Sequence, residues 1–168
     1  IKSFSSKPFG VNLIVNKSNP KYKGQLETLL ELKVDYIITS LGSPREVIEK
    51  CRPLGIKVFC DVVDLAYAKK VEELGADGII AVNSRAGGHA GNIDPQTLVK
   101  LLSENCNIPV ISAGGIAKGK DLKDVMSWGA SGASVGTIFI ACEEADISPE
   151  YKQAMIQYGE KDIVRTNK

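Results

Sequence analysis

Three segments of the chain open alike: Val34-Asp35-Tyr36-Ile37-Ile38, Ala76-Asp77-Gly78-Ile79-Ile80 and Ala130-Ser131-Gly132-Ala133-Ser134-Val135. Each is a short run entered from a helix ending. Three others begin beside Pro or Lys: Lys7-Pro8-Phe9-Gly10-Val11, Ile56-Lys57-Val58-Phe59 and Ile108-Pro109-Val110-Ile111. The two kinds alternate, which gives three copies of a βαβα unit and restricts the chain to an α/β fold with a parallel sheet.

The expected strands are Phe9–Val15, Asp35–Ser40, Lys57–Val63, Gly78–Asn83, Pro109–Ala113 and Gly132–Ile138. They are mostly apolar in succession, as strands covered on both faces are. Between them, Leu26, Leu29 and Leu30 share one helical face, as do Leu98, Leu101 and Leu102, and Leu122, Val125 and Met126. Asp94-Pro95 fits a capped helix start, and Gly55, Gly75 and Gly129 fit helix stops.

A closed (β/α)8 TIM barrel holds four such units in about 250 residues. The 168 residues here are therefore expected to carry about six of the eight βα units. An N-terminal βαβα of about 50 to 60 residues would complete them. An open doubly wound sheet of six strands is the other architecture; the loop chemistry favours the barrel. Residues 1–141 are expected to form the partial barrel. Residues 142–168 would be a C-terminal extension, helical at Pro149–Ile156, leading into a further segment.

Lys and Arg total 21 against 20 acids, so charge gives no case for nucleic acid or a membrane surface. No stretch reaches the roughly 18 apolar residues of a membrane span, and Ile1–Lys7 lacks the pattern of a signal peptide. Cys51, Cys60, Cys106 and Cys142 form no CxxC pair, and His89 is the sole histidine. A metal site is not expected; reduced thiols and a cytoplasmic location are.

Function in parallel α/β folds sits on loops leaving the C-terminal strand ends. Ala113-Gly114-Gly115-Ile116-Ala117-Lys118-Gly119 enters a helix from about Asp121. Its paired glycines let backbone amides approach an anion, and the helix start adds its positive dipole end. Val135-Gly136-Thr137 leaves the next strand, so the two turns together suggest a phosphate cradle; tight turns alone are the plainer reading. The third loop, Asn83-Ser84-Arg85-Ala86-Gly87-Gly88-His89-Ala90-Gly91-Asn92, carries the histidine, the residue type best suited to taking or giving a proton at neutral pH. No Ser or Cys with a partnering base suggests a nucleophilic triad. Asp61 and Asp64 are candidates for ligand contact, with helix capping the commoner use of Asp64.

These loops resemble the nitronate monooxygenase (2-nitropropane dioxygenase) family of FMN-dependent barrels, which is close to the FMN-dependent enoyl-acyl-carrier-protein reductases. The resemblance runs from Lys7-Pro8-Phe9-Gly10-Val11-Asn12-Leu13 through Ala86-Gly87-Gly88-His89-Ala90-Gly91 and Ser112-Ala113-Gly114-Gly115-Ile116 to Val135-Gly136-Thr137. It implies FMN as cofactor, its phosphate on Gly114, Gly115, Gly136 and Thr137. It also implies a flavin contact at Asn12, Gly87 and Gly88 in the cofactor-binding set, and His89 as base or substrate-orienting residue. Arg85 stands where the family commonly has Glu, Val135 where it often has Gln, and Asp61 near where some members have Lys.

The resemblance further implies oxidation of nitronates or nitroalkanes by O2, with a small molecule as partner and a homodimer left open as assembly. Enoyl-thioester reduction with NAD(P)H is the second reading. A flavin-free phosphate-binding barrel, catalytic or not, is the third.

Overall fold

A computed structural model describes residues 1, 3–164 and 166. Lys2, in the opening segment, and Arg165, Asn167 and Lys168, in the expected C-terminal extension, lie outside the described residues. The chain divides into two compact units, Ile1–Ser134 and Val135–Lys168.

The first unit alternates strand and helix: β1 (Gly10–Ile14), α1 (Tyr22–Glu31), β2 (Tyr36–Ser40), α2 (Arg45–Cys51), β3 (Lys57–Val62), α3 (Leu65–Leu74), β4 (Gly78–Val82), α4 (Pro95–Asn105), β5 (Val110–Ala113), α5 (Gly119–Ser127) and β6 (Gly132–Ser134). The strands pair in sequence order, β1-β2-β3-β4-β5-β6, and every pairing is parallel. A doubly wound sheet would reverse its order at a switch point. This order is that of a barrel wall, here six of the eight strands of a (β/α)8 barrel.

Side chains alternate between the sheet's two faces. Leu13, Ile37, Val58, Cys60, Val62, Ile79, Ala81 and Val110 form one core with Leu26 and Leu29 of α1, Val47 and Ile48 of α2, Ala68 and Val71 of α3, and Leu98 and Leu102 of α4. The helical periodicity thus serves the purpose read from the sequence, and Asp64 and Asp94 cap their helices by accepting from Tyr67 N and Thr97 N. Gly55, Gly75 and Gly129 all take positive φ. One face differs. Of Leu122, Val125 and Met126 only Val125 is buried, on the side where α5 packs against α4 and β6.

The repeated acid of the opening motif works at the N-terminal rim. Asp35 Oδ2 accepts from Phe9 N at 3.0 Å, and Asp77 accepts from Val58 N at 2.9 Å and Lys57 Nζ at 2.8 Å. Each ties a strand start to its neighbour, so the repeat encodes sheet assembly. Just inside this rim Tyr36 and Phe59 pack edge to face, 5.7 Å between centroids. A Cβ on Gly10 would lie 2.0 Å from the Tyr36 ring, and one on Gly78 2.7 Å from Phe59. Glycine at both positions makes room for this aromatic floor.

The second unit holds α6 (Thr137–Ile140) and α7 (Pro149–Gln157). The sixth expected strand is corrected here: it stops at Ser134, and residues 137–140 are helical, with Phe139 N donating to Gly136 O at 2.9 Å. Lys152 Nζ donates to the carbonyls of Cys142 at 2.6 Å and Ala145 at 2.8 Å, and Ser148 caps α7.

Candidate functional site

Opposite the aromatic floor, at the C-terminal strand ends, the sheet face turned away from the helices becomes polar. Alternation puts Asn12, Ser40 and Asp61 there, since Leu13, Thr39, Cys60 and Val62 point the other way. Ser40 Oγ lies 2.5 Å from Asp61 Oδ2 and 3.1 Å from Asn12 Oδ1. Asn12 is exposed, and Asp61 is partly buried. Burial pushes the Asp61 carboxyl above the usual range, and the Ser40 hydrogen bond offsets part of that. Ser40 went unremarked in the sequence; only a strict inside–outside reading of β2 would have found it.

The loop after β4 is anchored by Asn83, 1% exposed. Its Nδ2 donates to Gly114 O at 3.1 Å, and its Oδ1 accepts from Arg85 N at 2.8 Å. The backbone continues the tie: Asn83 N donates to Ala113 O at 3.1 Å, and Ala86 N to Asn83 O at 3.3 Å. The histidine loop and the Gly114-Gly115 turn are therefore one assembly. Asn83 carried no motif of its own, so its part as the anchor was not foreseen.

That assembly explains both glycines. Gly114 has φ +113, and a Cβ there would come within 2.5 Å of Ala86 N and Asn83 Oδ1. Gly115 has φ +72, and its Cβ would meet the Arg85 side chain at 3.0 Å. The close approach they allow within the chain is to the neighbouring loop.

At the start of α5 the expectation of an open helix dipole needs correction. The helix begins at Gly119, and Asp121 Oδ2 accepts from Ala117 N at 3.0 Å and Lys118 N at 2.9 Å. Those hydrogen bonds, first to Ala117 and then to Lys118, hold the Asp121 carboxyl below its usual range, with a smaller contribution from Arg85. A resident carboxylate already occupies these amides, so an incoming anion would use the turn before them.

His89 is exposed, as are Gly87 and Gly88; Gly88 takes φ +80. No hydrogen bond of His89 is present among the described residues, so its ring is placed by the loop backbone. Gly91, at the loop's far end, is buried, and a Cβ on it would strike Val82 O at 2.6 Å. Thus the loop is pinned at Asn83 and Gly91 and projects His89 between them.

Gly136 and Thr137 belong to the second unit. Gly136 has φ −129, which any residue adopts, and nothing lies within 4 Å of a Cβ built on it. The strand ends leading to the two turns, Ala113 and Ser134, are register partners. No group of three His, Cys, Asp or Glu side chains that could hold a metal occurs among the described residues. No described helix is long and apolar enough to cross a membrane.

The model of the family described as nitronate monooxygenase matches residues 1–168. Nitronate monooxygenase from Paraburkholderia phytofirmans is 35% identical over 141 residues, 78% of this chain and 38% of that protein. A mutant FabK from Thermotoga maritima has the same fold at TM-score 0.93 and 35% identity, covering 99% of this chain and 56% of that one. Nitroalkane oxidase from Streptomyces ansochromogenes follows at TM-score 0.85 and 27% identity, over 91% of this chain and 56% of that one. The chain thus spans about half the length of these proteins or less. It belongs to the nitronate monooxygenase family.

Proposed function

We propose that the whole protein is an FMN-dependent oxidoreductase that oxidises nitronates or nitroalkanes with O2, and that His89 is its base. One observation carries this reading. The loop bearing the sole histidine is hydrogen-bonded at its root, through Asn83, to the Gly114-Gly115 turn, which supports a joint role for the two loops in a chain of this family with a nitroalkane oxidase among its structural neighbours.

The residues fit a flavin phosphate at two places. Gly136 has no backbone or packing reason within the chain to lack a side chain, which suits close approach by a bound group. The backbone turn at Gly114 and Gly115, beside the Arg85 guanidinium, offers amides and positive charge. FMN would be held at that turn, with Gly87 and Gly88 on the histidine loop and Asn12 toward the flavin; that Gly136 and Thr137 join it as phosphate ligands is proposed on the family resemblance alone. When bound it would supply the redox chemistry.

The protein's own share is proton handling and orientation. His89, taking up the proton from the carbon α to a neutral nitro group, leaves the nitronate anion and an imidazolium. A nitronate supplied ready-made needs no such base. Replacing His89 by Asn should therefore abolish turnover of the nitroalkane and spare that of its nitronate. Equal loss on both would overturn the assignment of His89 as base. NAD(P)H oxidation that depends on an enoyl thioester would replace the reaction proposed here. A full-length protein without flavin absorbance that gains none on FMN addition would remove the flavin altogether.

A further inference from the structure

The row Asn12–Ser40–Asp61 contains one more polar contact than its protons can serve in a single pattern. A serine hydroxyl carries one hydrogen and two lone pairs. Ser40 Oγ sits 2.5 Å from Asp61 Oδ2 and 3.1 Å from the Asn12 side-chain oxygen, and an ionised carboxylate and an amide oxygen both accept. Which end of an asparagine amide faces a partner follows from the hydrogen-bond network. Two networks are self-consistent. With Asp61 ionised, Ser40 donates to Asp61 and must accept from Asn12 Nδ2, which turns the Asn12 carbonyl outward. With Asp61 protonated, Asp61 donates to Ser40, Ser40 donates to Asn12 Oδ1, and the Asn12 NH2 group faces outward.

We propose that Asp61, acting through Ser40, is a positioning residue for Asn12: its proton decides whether Asn12 presents a donor or an acceptor to the ligand at the strand ends. That this ligand is a flavin rests on the function proposed above. The proton comes from and returns to solvent, and no bond between heavy atoms changes.

The surroundings leave Asp61 to govern this. From β2 the same face offers Tyr36, Ile38 and Ser40, and the Tyr36 ring lies on the aromatic floor against Phe59. From β4 it offers Gly78, Ile80 and Val82, and from β1 Gly10, Asn12 and Ile14, none titratable. On β3 itself Lys57 is engaged by Asp77 at the far rim, while Cys60 faces the helices, its thiol pushed up to about 11 chiefly by burial. Beyond the strand, Asp64 caps α3 and the Tyr67 hydroxyl donates to Gly42 O. No ion pair of Asp61 is present among the described residues. Burial raises its carboxyl above the usual range, so the protonated pattern persists to higher pH than it would for an exposed carboxylate.

Two measurements on the full-length protein test this. In ligand-free protein labelled with 15N-asparagine, the Asn12 side-chain amide signals, identified by their loss in Asn12→Ala, should move as pH is raised from the ordinary carboxylate value of about 3.9 upward. They should stay fixed in Asp61→Asn and Ser40→Ala, and Ser40→Thr, which keeps the hydroxyl, should restore the movement. An unmoved wild-type signal overturns the proposal whatever the protein binds. Movement that survives in Ser40→Ala also overturns it, because the acid then acts through space. The second probe is riboflavin, which lacks the phosphate that itself titrates near pH 6. Its Kd, read by fluorescence quenching, should change about tenfold over the same rise in pH in the wild type and stay flat in both variants, the scale of one hydrogen bond gained or lost. Failure of both riboflavin and FMN to bind would count against the flavin reading, and the amide signals would still decide the relay.

Discussion

Asn83 and Gly114, on neighbouring strand ends, fit each other to the exclusion of any side chain on Gly114. The Asn83 amide donates to Gly114 O at 3.1 Å, and its oxygen lies 2.5 Å from where a Gly114 Cβ would stand. The pair converts two separate loops into one platform, and the histidine is carried on it.

Gly114→Ala tests the fit. The new methyl meets a backbone nitrogen and a buried amide oxygen, neither able to retreat cheaply, and φ +113 is strained for alanine. A loss of about 2–4 kcal/mol in unfolding free energy is expected by analogy with overpacking and backbone strain, measured by denaturant titration. Alanine at Gly136, with open space around its Cβ and φ −129, should leave stability within about 0.5 kcal/mol and weaken FMN binding.

Asn83→Ala tests the tie itself. It leaves Arg85 N and Gly114 O without the side-chain partners they now have, at a cost of about 1–3 kcal/mol. Amide hydrogen exchange should quicken across residues 84–91 while β3 keeps its protection. Uniform quickening of the whole sheet would mean that Asn83 is ordinary core.

Much of this fold was legible because its signal is periodic. The copies of the opening motif marking strand starts, the leucine faces of α1 and α4, and the Asp94-Pro95 cap are each written in local sequence, whereas the ties made by Asp35 and Asp77 are not. The repeat left a barrel and a doubly wound sheet both open, and the loop chemistry favoured the barrel, whose strict sequence order the sheet has. What escaped depended on neighbours in space. Ser40 matters because β2 lies between β1 and β3, and Asn83 because Gly114 comes beside it; neither has a sequence signature. The chain after Ser134 was misread for the opposite reason: Val135, Thr137, Ile138 and Phe139 suit a strand, and the turn of helix after Gly136 overrides that local preference. On α5 the helical periodicity buries Val125 and leaves Leu122 and Met126 exposed.

The four cysteines are free and should differ sharply toward a thiol reagent. The thiols of Cys51 and Cys60 are buried and pushed up to about 11, in each case by burial first. Thiolate is the reactive form, so at pH 8 both should stay unlabelled in the native protein and react only after denaturation. Cys106 and Cys142 are partly exposed and should label first. Native-state labelling followed by peptide mass spectrometry checks the order. Early modification of Cys60 would mean that β3 is open to solvent on its helix-facing side.

Asp61 and Asp64, three residues apart, should respond oppositely to loss of charge. Asp64 accepts from Tyr67 N at 2.8 Å at the start of α3, so Asp64→Ala should cost about 1 kcal/mol, as lost caps do. Asp61 has its pKa raised by burial, so the folded chain holds that proton more tightly than the unfolded chain does. The resulting stabilisation is complete below the unfolded carboxylate value and is lost as pH rises through the folded one. Above that range the buried charge opposes folding. Asp61→Asn removes the charge and should raise the thermal midpoint by a few degrees at pH 7. At about pH 3.5, below the ordinary carboxylate value of about 3.9, Asp61 is mostly protonated in both states and the gain should shrink sharply. A gain of equal size at both pH values would place its origin in packing rather than in the buried charge.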